Sequence, residues 1–183
     1  MAKSIVVLGD SISAGHGIEV NQGWVALVQQ KLKDSKSDFS IHNASISGDT
    51  SSGGLARVDE LLTRYKPEVF VLELGGNDGL RGLSPALMKS NLNEIINRAK
   101  QANAKVLLLG MKIPPNYGKR YTEWFYRVYT ELAQEQNISL IPFLLDDVAL
   151  TPELMQADGI HPNTKAQPII ADKIWQHLLP LLN

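Results

Sequence analysis

The chain has 183 residues, 44% hydrophobic and 20% charged, which fits a single domain with a core that needs no covalent staple. Its 18 basic and 19 acidic residues leave a net charge of -1 with no block of like charge, which argues against nucleic acid or an anionic membrane as the main partner. Cysteine is absent, so disulfides, thiol catalysis and cysteine-held metals are excluded, and no apolar stretch reaches the roughly 20 residues of a membrane span.

The apolar run Ile5–Leu8 ends at Gly9, as a buried parallel strand does, and is too short for the apolar region of a signal peptide. Trp24, Val25, Val28 and Leu32 recur at helical spacing and predict a helix near 23–34. Phe39–Ala44 reads as a second strand, and Leu55, Val58, Leu61 and Leu62 mark a helix near 53–65. After Pro67, Val69–Leu74 is the third strand. Ser84 is the expected N-cap and Pro85 the first residue of a helix reaching about 102. Val106–Leu109 is a fourth strand, an aromatic-rich helix covers about 118–136, and Ile138–Ile141 is a short fifth strand. A long loop then leads to a closing helix over about 164–182. Strands alternating with helices imply right-handed crossovers and an α/β domain over 1–183, with a parallel sheet covered on both faces.

Polar motifs follow four of the five strands. Gly9-Asp10-Ser11 follows the first, Ser47-Gly48-Asp49 the second, Gly75-Gly76-Asn77-Asp78 the third, and Asp158-Gly159-Ile160-His161 lies beyond the fifth. Ligands of open parallel sheets bind beyond the carboxyl ends of the strands, at the point where strand order reverses. A sheet ordered 2-1-3-4-5 would bring Ser11 and Asn77 face to face there. Ser11 is the candidate nucleophile, since a serine hydroxyl needs an adjacent base and His161 offers one. Asp158, three residues before His161, is within reach of one ring nitrogen while the other faces Ser11. Gly48 can bring a backbone N–H close to a developing oxyanion, Asn77 can offer its side-chain amide, and the N–H of Ser11 completes that set.

The bland alternatives are an N-cap serine, an Asp-Gly turn with a loop histidine, and turn Gly and Asn residues. Each is common alone, and the ordered set is what outweighs them. Asp10, Asp49 and Asp78 are expected to bond loop backbone rather than a metal, because no spacing here matches a metal site. His177 falls in the last helix and His42 in a strand, while His16, in the loop after Ser11, is open to a minor contact with substrate.

These four blocks resemble those of the SGNH hydrolases, the GDSL family, through Gly9-Asp10-Ser11, Asn43–Gly48, Gly75–Asp78 and Asp158–Pro162. Met111–Gly118 and Asp158–Asn163 are similar to the bacterial thioesterase, lysophospholipase and arylesterase branch, and the resemblance runs over about 4–182. It implies a three-layer flavodoxin-like fold with a five-stranded parallel sheet of order 2-1-3-4-5, and no cofactor. It also implies an acyl-enzyme on Ser11 in the hydrolysis of acyl esters and thioesters, and an exported protein, periplasmic or secreted; without export the setting is cytoplasmic. A monomer acting on small acyl substrates is expected.

Of the rings in 111–129, most are expected to face the core; Ile113, Pro114 and Tyr117, with Gly79 and Leu80 beside Asn77, are the candidates for an acyl groove. A carbohydrate deacetylase would use the same triad but prefer a polar cleft. A receiver-type binding module would leave Asp158 and His161 unexplained, and strand 5 leads to Ile141-Pro142-Phe143 without the lysine such a module needs.

Overall fold

The computed structural model describes residues 2–183. Five strands form one parallel sheet: β1 (Lys3–Gly9), β2 (Phe39–Asn43), β3 (Val69–Glu73), β4 (Lys105–Leu109) and β5 (Ser139–Ile141). Their order is β2-β1-β3-β4-β5, as the family resemblance implies, and every neighbouring pair runs parallel. The sheet interior is apolar on both faces: Ile5–Leu8, Val69–Leu72 and Leu107–Leu109 are all fully buried. Continuous apolar runs are what a sheet covered on both sides requires.

Helices α1 (Ser11–Ala14), α2 (Trp24–Asp34), α3 (Ser51–Tyr65), α4 (Gly76–Leu80), α5 (Pro85–Gln101), α6 (Lys119–Gln136) and α7 (Gln167–Leu178) fill the connections. α2 packs on α7, while α3 packs on α5 and α5 on α6, giving the two outer layers. The Ser84 hydroxyl accepts from the Leu87 N–H, and Pro85 opens α5. Thr50 caps α3 through the Gly53 N–H, so that helix starts at Ser51 rather than at 53.

The last helix is shorter than its apolar pattern suggests. A single 3-10 turn covers Thr164–Ala166, α7 stops at Leu178, and another 3-10 turn follows over Leu179–Leu181. Pro168 and Pro180 cannot donate to a preceding turn, and each lies where the α-helical pattern begins or gives way. The side chain of Gln167, buried, accepts from the Trp24 N–H at 3.0 Å, tying α7 to the start of α2. No helix among the described residues is long and apolar enough to cross a membrane.

Candidate active site

α1 begins directly at the end of β1. The Asp10 carboxylate accepts from the Ile12 N–H at 3.0 Å and so caps this short helix, leaving Ser11 as its first residue on the sheet rim. The Asn43 amide, on the neighbouring strand where that residue pairs with Val7, donates to the Ser13 carbonyl at 2.9 Å and braces the same turn from the side.

The last polar motif is built as a hairpin. Met155 and Pro162 form an antiparallel bridge, the Gln156 N–H donates to the His161 carbonyl, and the Gly159 N–H donates to the Gln156 carbonyl. Gly159 turns the chain at φ +68°, where a side chain would be strained. One carboxylate oxygen of Asp158 accepts from the N–H groups of Ile160 and His161, at 2.9 and 3.0 Å. The other meets His161 Nδ1 at 2.6 Å. These bonds, the side-chain one first, hold the Asp158 carboxyl well below the usual carboxylate range although it is exposed. A charged acceptor on Nδ1 fixes the proton there, which leaves Nε2 as the acceptor for the Ser11 hydroxyl 2.9 Å away.

The proposed donors converge on the same rim. Gly48 lies in a turn with φ +85°, and open space surrounds its Cα, so backbone geometry rather than crowding calls for glycine there. Neither the Ser11 nor the Gly48 N–H has a protein acceptor among the described residues. The half-buried Asn77 amide donates one hydrogen to the Asp49 carbonyl at 2.8 Å, which orients it and leaves its second hydrogen free.

The remaining acidic residues behave differently from one another. Asp78, buried, accepts from the Ser51 N–H and hydroxyl at 2.8 and 2.7 Å, joining α4 to the start of α3. Asp10 also bonds backbone, as its loop position suggests. Asp49 instead pairs with Arg57 at 3.1 Å, and that guanidinium also reaches the Ala44 carbonyl.

A cavity of about 570 Å³ opens beside Ser11 and His161. Leu80, Ile113 and Pro114 line it, as do Met111, Phe143 and Met155, none of which the motifs mark as groove residues. Leu150 and Ile160 stand at its edge, 94% and 49% exposed. Gly79 and Tyr117 stay behind this wall. A Cβ on Gly79 would come 2.6 Å from Ile113, and the Tyr117 hydroxyl donates to the Leu80 carbonyl at 2.7 Å, so both shape lining residues without lining the cavity. Of the rings in this stretch only Phe125 and Tyr129 are fully buried; Tyr117, Tyr121 and Tyr126 are half-buried and Trp124 is exposed, so fewer face the core than expected. His16 packs against His161 in a tilted arrangement, with ring centroids 4.3 Å apart and planes 33° from parallel. A loop histidine after the nucleophile carries no signal of that contact in the sequence. His16, Asp158 and His161 are also the group of metal-type side chains among the described residues, with ligand atoms within 4.8 Å, but both ring nitrogens of His161 are already engaged by Ser11 and Asp158.

The sequence profile of the GDSL-like lipase/acylhydrolase family matches residues 7–168. The chain is 52% identical over 181 residues to the esterase TesA of Pseudomonas aeruginosa, covering 99% of this chain and 90% of that protein. It is 47% identical over 182 residues to the thioesterase 1/protease 1/lysophospholipase L1 of Escherichia coli K12, covering 100% and 86%. The fold superimposes, with a TM-score of 0.94 and 42% identity over 99% of both chains, on the psychrotrophic esterase EstA from Pseudoalteromonas sp. in a crystal structure inhibited by monoethylphosphonate. With a matching profile over most of its length and relatives this similar, the chain belongs to the GDSL-like lipase/acylhydrolase family, hydrolases of ester bonds.

Proposed function

We propose that the protein is a serine esterase of broad acyl specificity that hydrolyses carboxylic esters, aryl esters and thioesters through an acyl-enzyme on Ser11. The observation that carries this reading is the relay of two hydrogen bonds, 2.9 Å from Ser11 to His161 and 2.6 Å from His161 to Asp158, at the mouth of an apolar cavity. In the acylation step the Ser11 oxygen attacks the acyl carbon while its proton passes to His161 Nε2. Asp158 holds the ring and stabilises the imidazolium without taking the proton. The tetrahedral oxyanion is met by the Ser11 and Gly48 N–H groups and the free Asn77 hydrogen. The imidazolium then gives its proton to the departing alkoxide, phenoxide or thiolate. Water attacks the acyl-Ser11 ester by the same route in reverse and releases the acid.

Leu80, Met111, Ile113, Pro114 and Phe143 suit an acyl chain better than a sugar, which favours the acyl esterase over a carbohydrate deacetylase. An apolar wall discriminates by only about 1–3 kcal/mol per methylene, so activity should extend over a range of chain lengths. The chain is proposed to work as a monomer in a periplasmic or secreted setting, in keeping with the bacterial branch its motifs resemble; sedimentation and cell fractionation test those two points. The central test is hydrolysis of para-nitrophenyl esters from acetate to dodecanoate, with a fluorophosphonate probe that should modify Ser11 alone. No hydrolysis by the folded protein, or labelling at another residue, overturns the reading.

A further inference from the structure

Beneath Ser11 lie two carboxyl groups that the reaction above does not use. Glu73 ends β3 and is 0% exposed; Asp10 follows β1 and is 3% exposed. Gly9 pairs with Glu73 in the sheet register, and a Cβ on Gly9 would come 2.9 Å from the Glu73 carboxyl, so the glycine makes the room this side chain occupies. One Glu73 oxygen accepts from the Ser13 hydroxyl at 2.7 Å. The other, Oε2, is buried and makes no well-formed hydrogen bond, although the Asp10 backbone N–H also acts on this carboxyl. The two carboxyls lie within hydrogen-bond reach of each other. No lysine or arginine forms an ion pair with either among the described residues.

Two adjacent carboxylates without a cation, removed from water, cannot both stay charged. A proton between them satisfies the orphan oxygen and removes the repulsion. We propose that Glu73 is a positioning residue that stays a neutral carboxylic acid at working pH and donates to the Asp10 carboxylate, so that one shared proton and one buried charge fix the helical turn that carries Ser11. Burial raises both carboxyls, but Asp10 is drawn back down by its hydrogen bonds and by His161, whereas the Asp10 charge pushes Glu73 higher still, so of the two it is Glu73 that keeps the proton. Asp10, left charged, caps α1 through the Ile12 N–H and faces His161 electrostatically, where a fixed negative charge favours the imidazolium formed as Ser11 attacks. The other titratable groups facing the pair are His161, beside Asp10, and Tyr129 from α6; Tyr129, which also feels Asp78, is pushed up by burial and by these carboxyls, and so adds no charge. Ser13 closes the unit from α1, donating its hydroxyl to Glu73 while its carbonyl takes the Asn43 amide.

The inference rests on Ser11 being the nucleophile only for its catalytic consequence; the protonation of Glu73 stands apart from it. Infrared spectra at neutral pH, where exposed carboxyls are ionised, should contain a protonated-carboxyl carbonyl band that is absent from E73Q. A spectrum with no such band overturns the proposal. Glutamine is a permanently neutral donor of the same shape, so E73Q should keep kcat within about threefold of the parent, while a larger loss in the folded variant overturns the proposal. E73A should lower kcat by about tenfold or more at near-constant KM, and slow fluorophosphonate labelling of Ser11 in parallel; unchanged labelling overturns the positioning role.

Melting temperature gives a reading independent of catalysis. A folded-state pKa raised above the unfolded value makes stability fall as pH rises between the two. The amide that replaces the carboxyl in E73Q cannot titrate, so the Tm of that variant relative to the parent should climb as pH rises above the ordinary carboxylate range. A constant difference overturns the proposal. Should Ser11→Ala retain esterase activity, the nucleophile assignment fails while the infrared band and the Tm trend remain to judge Glu73.

Discussion

The two halves of the triad are held by opposite means. Ser11 stands on the end of a central strand, over buried Asp10 and Glu73, with α1 braced by neighbouring strands. Asp158 and His161 sit on an exposed hairpin whose bonds are almost all internal: Asp158 to its own next residues, Gln156 to the Pro162 carbonyl, Asn163 to the Glu153 carbonyl. Besides the Ser11–His161 bond itself, one long tie crosses from hairpin to nucleophile loop, the Gln156 amide donating to the His16 carbonyl at 2.8 Å. The proposed nucleophile is positioned by core packing over two buried carboxyls. The base is positioned by local turn chemistry, which little else in the fold depends on. Substitutions on the hairpin should therefore change rate with little change in stability, and substitutions beneath Ser11 should change both.

The strongest way to test that contrast is to remove each half. Ser11→Ala and His161→Ala should each lower kcat for a para-nitrophenyl ester by about 10⁴-fold or more, and the double variant should lose little further, since a triad acts as a unit. Additive losses in steady-state kinetics would show two independent residues, and both variants should melt close to the parent.

Asn77→Ala is next in size, because its free hydrogen is proposed to meet charge that exists mainly in the transition state. A loss of about 10²–10³ in kcat, or roughly 2.7–4 kcal/mol, at nearly constant KM is expected. The bond to the Asp49 carbonyl is lost as well, so calorimetry should find a modest drop in Tm, unlike the triad variants. A kcat above half that of the parent would mark Asn77 as a turn residue only.

Gln156→Ala cuts the tie between the halves. A kcat loss of about three- to tenfold with an unchanged Tm is expected, as the imidazole loses precise aim without losing its partners. A Tm drop of the size seen for a core substitution would mean the hairpin supports the fold after all.

The smallest effect concerns acid stability. Asp158 has a lowered folded pKa, so its contribution is present above the unfolded carboxylate value near 3.9 and fades as pH falls through the folded one. Asp158→Asn should narrow the Tm gap to the parent below about pH 4, by only about a degree or two because the group is exposed. A gap that widens in acid would reverse the sign of that argument.

Much of this is written in the chain. Five apolar runs mark five strands with ends shifted by only a few residues, because buried parallel strands must be apolar on both faces. The Ser84-Pro85 start of α5 is legible from capping chemistry, and the turn linking Asp158 to His161 from spacing alone. α1 and α4 are not, since four or five residues are too few to display a helical period. The interrupted last helix reads as continuous because its apolar face carries on past the prolines. Glu73 is the one charged residue inside the run Val69–Leu74, but the sequence does not say where its carboxyl goes; only the packing of β1 against β3 reveals that. The packing of the His16 ring against His161 is likewise tertiary.

The hydrogen bond between Ser11 and His161 joins residues 150 apart in sequence. A growing chain therefore offers its reactive serine early but holds no hydrolytic power until the hairpin has arrived and α7 has docked through Gln167 onto α2. Ester hydrolysis in such a protein reports completed folding, and a chain stalled during synthesis carries an idle hydroxyl rather than an uncontrolled hydrolase among nearby acyl groups.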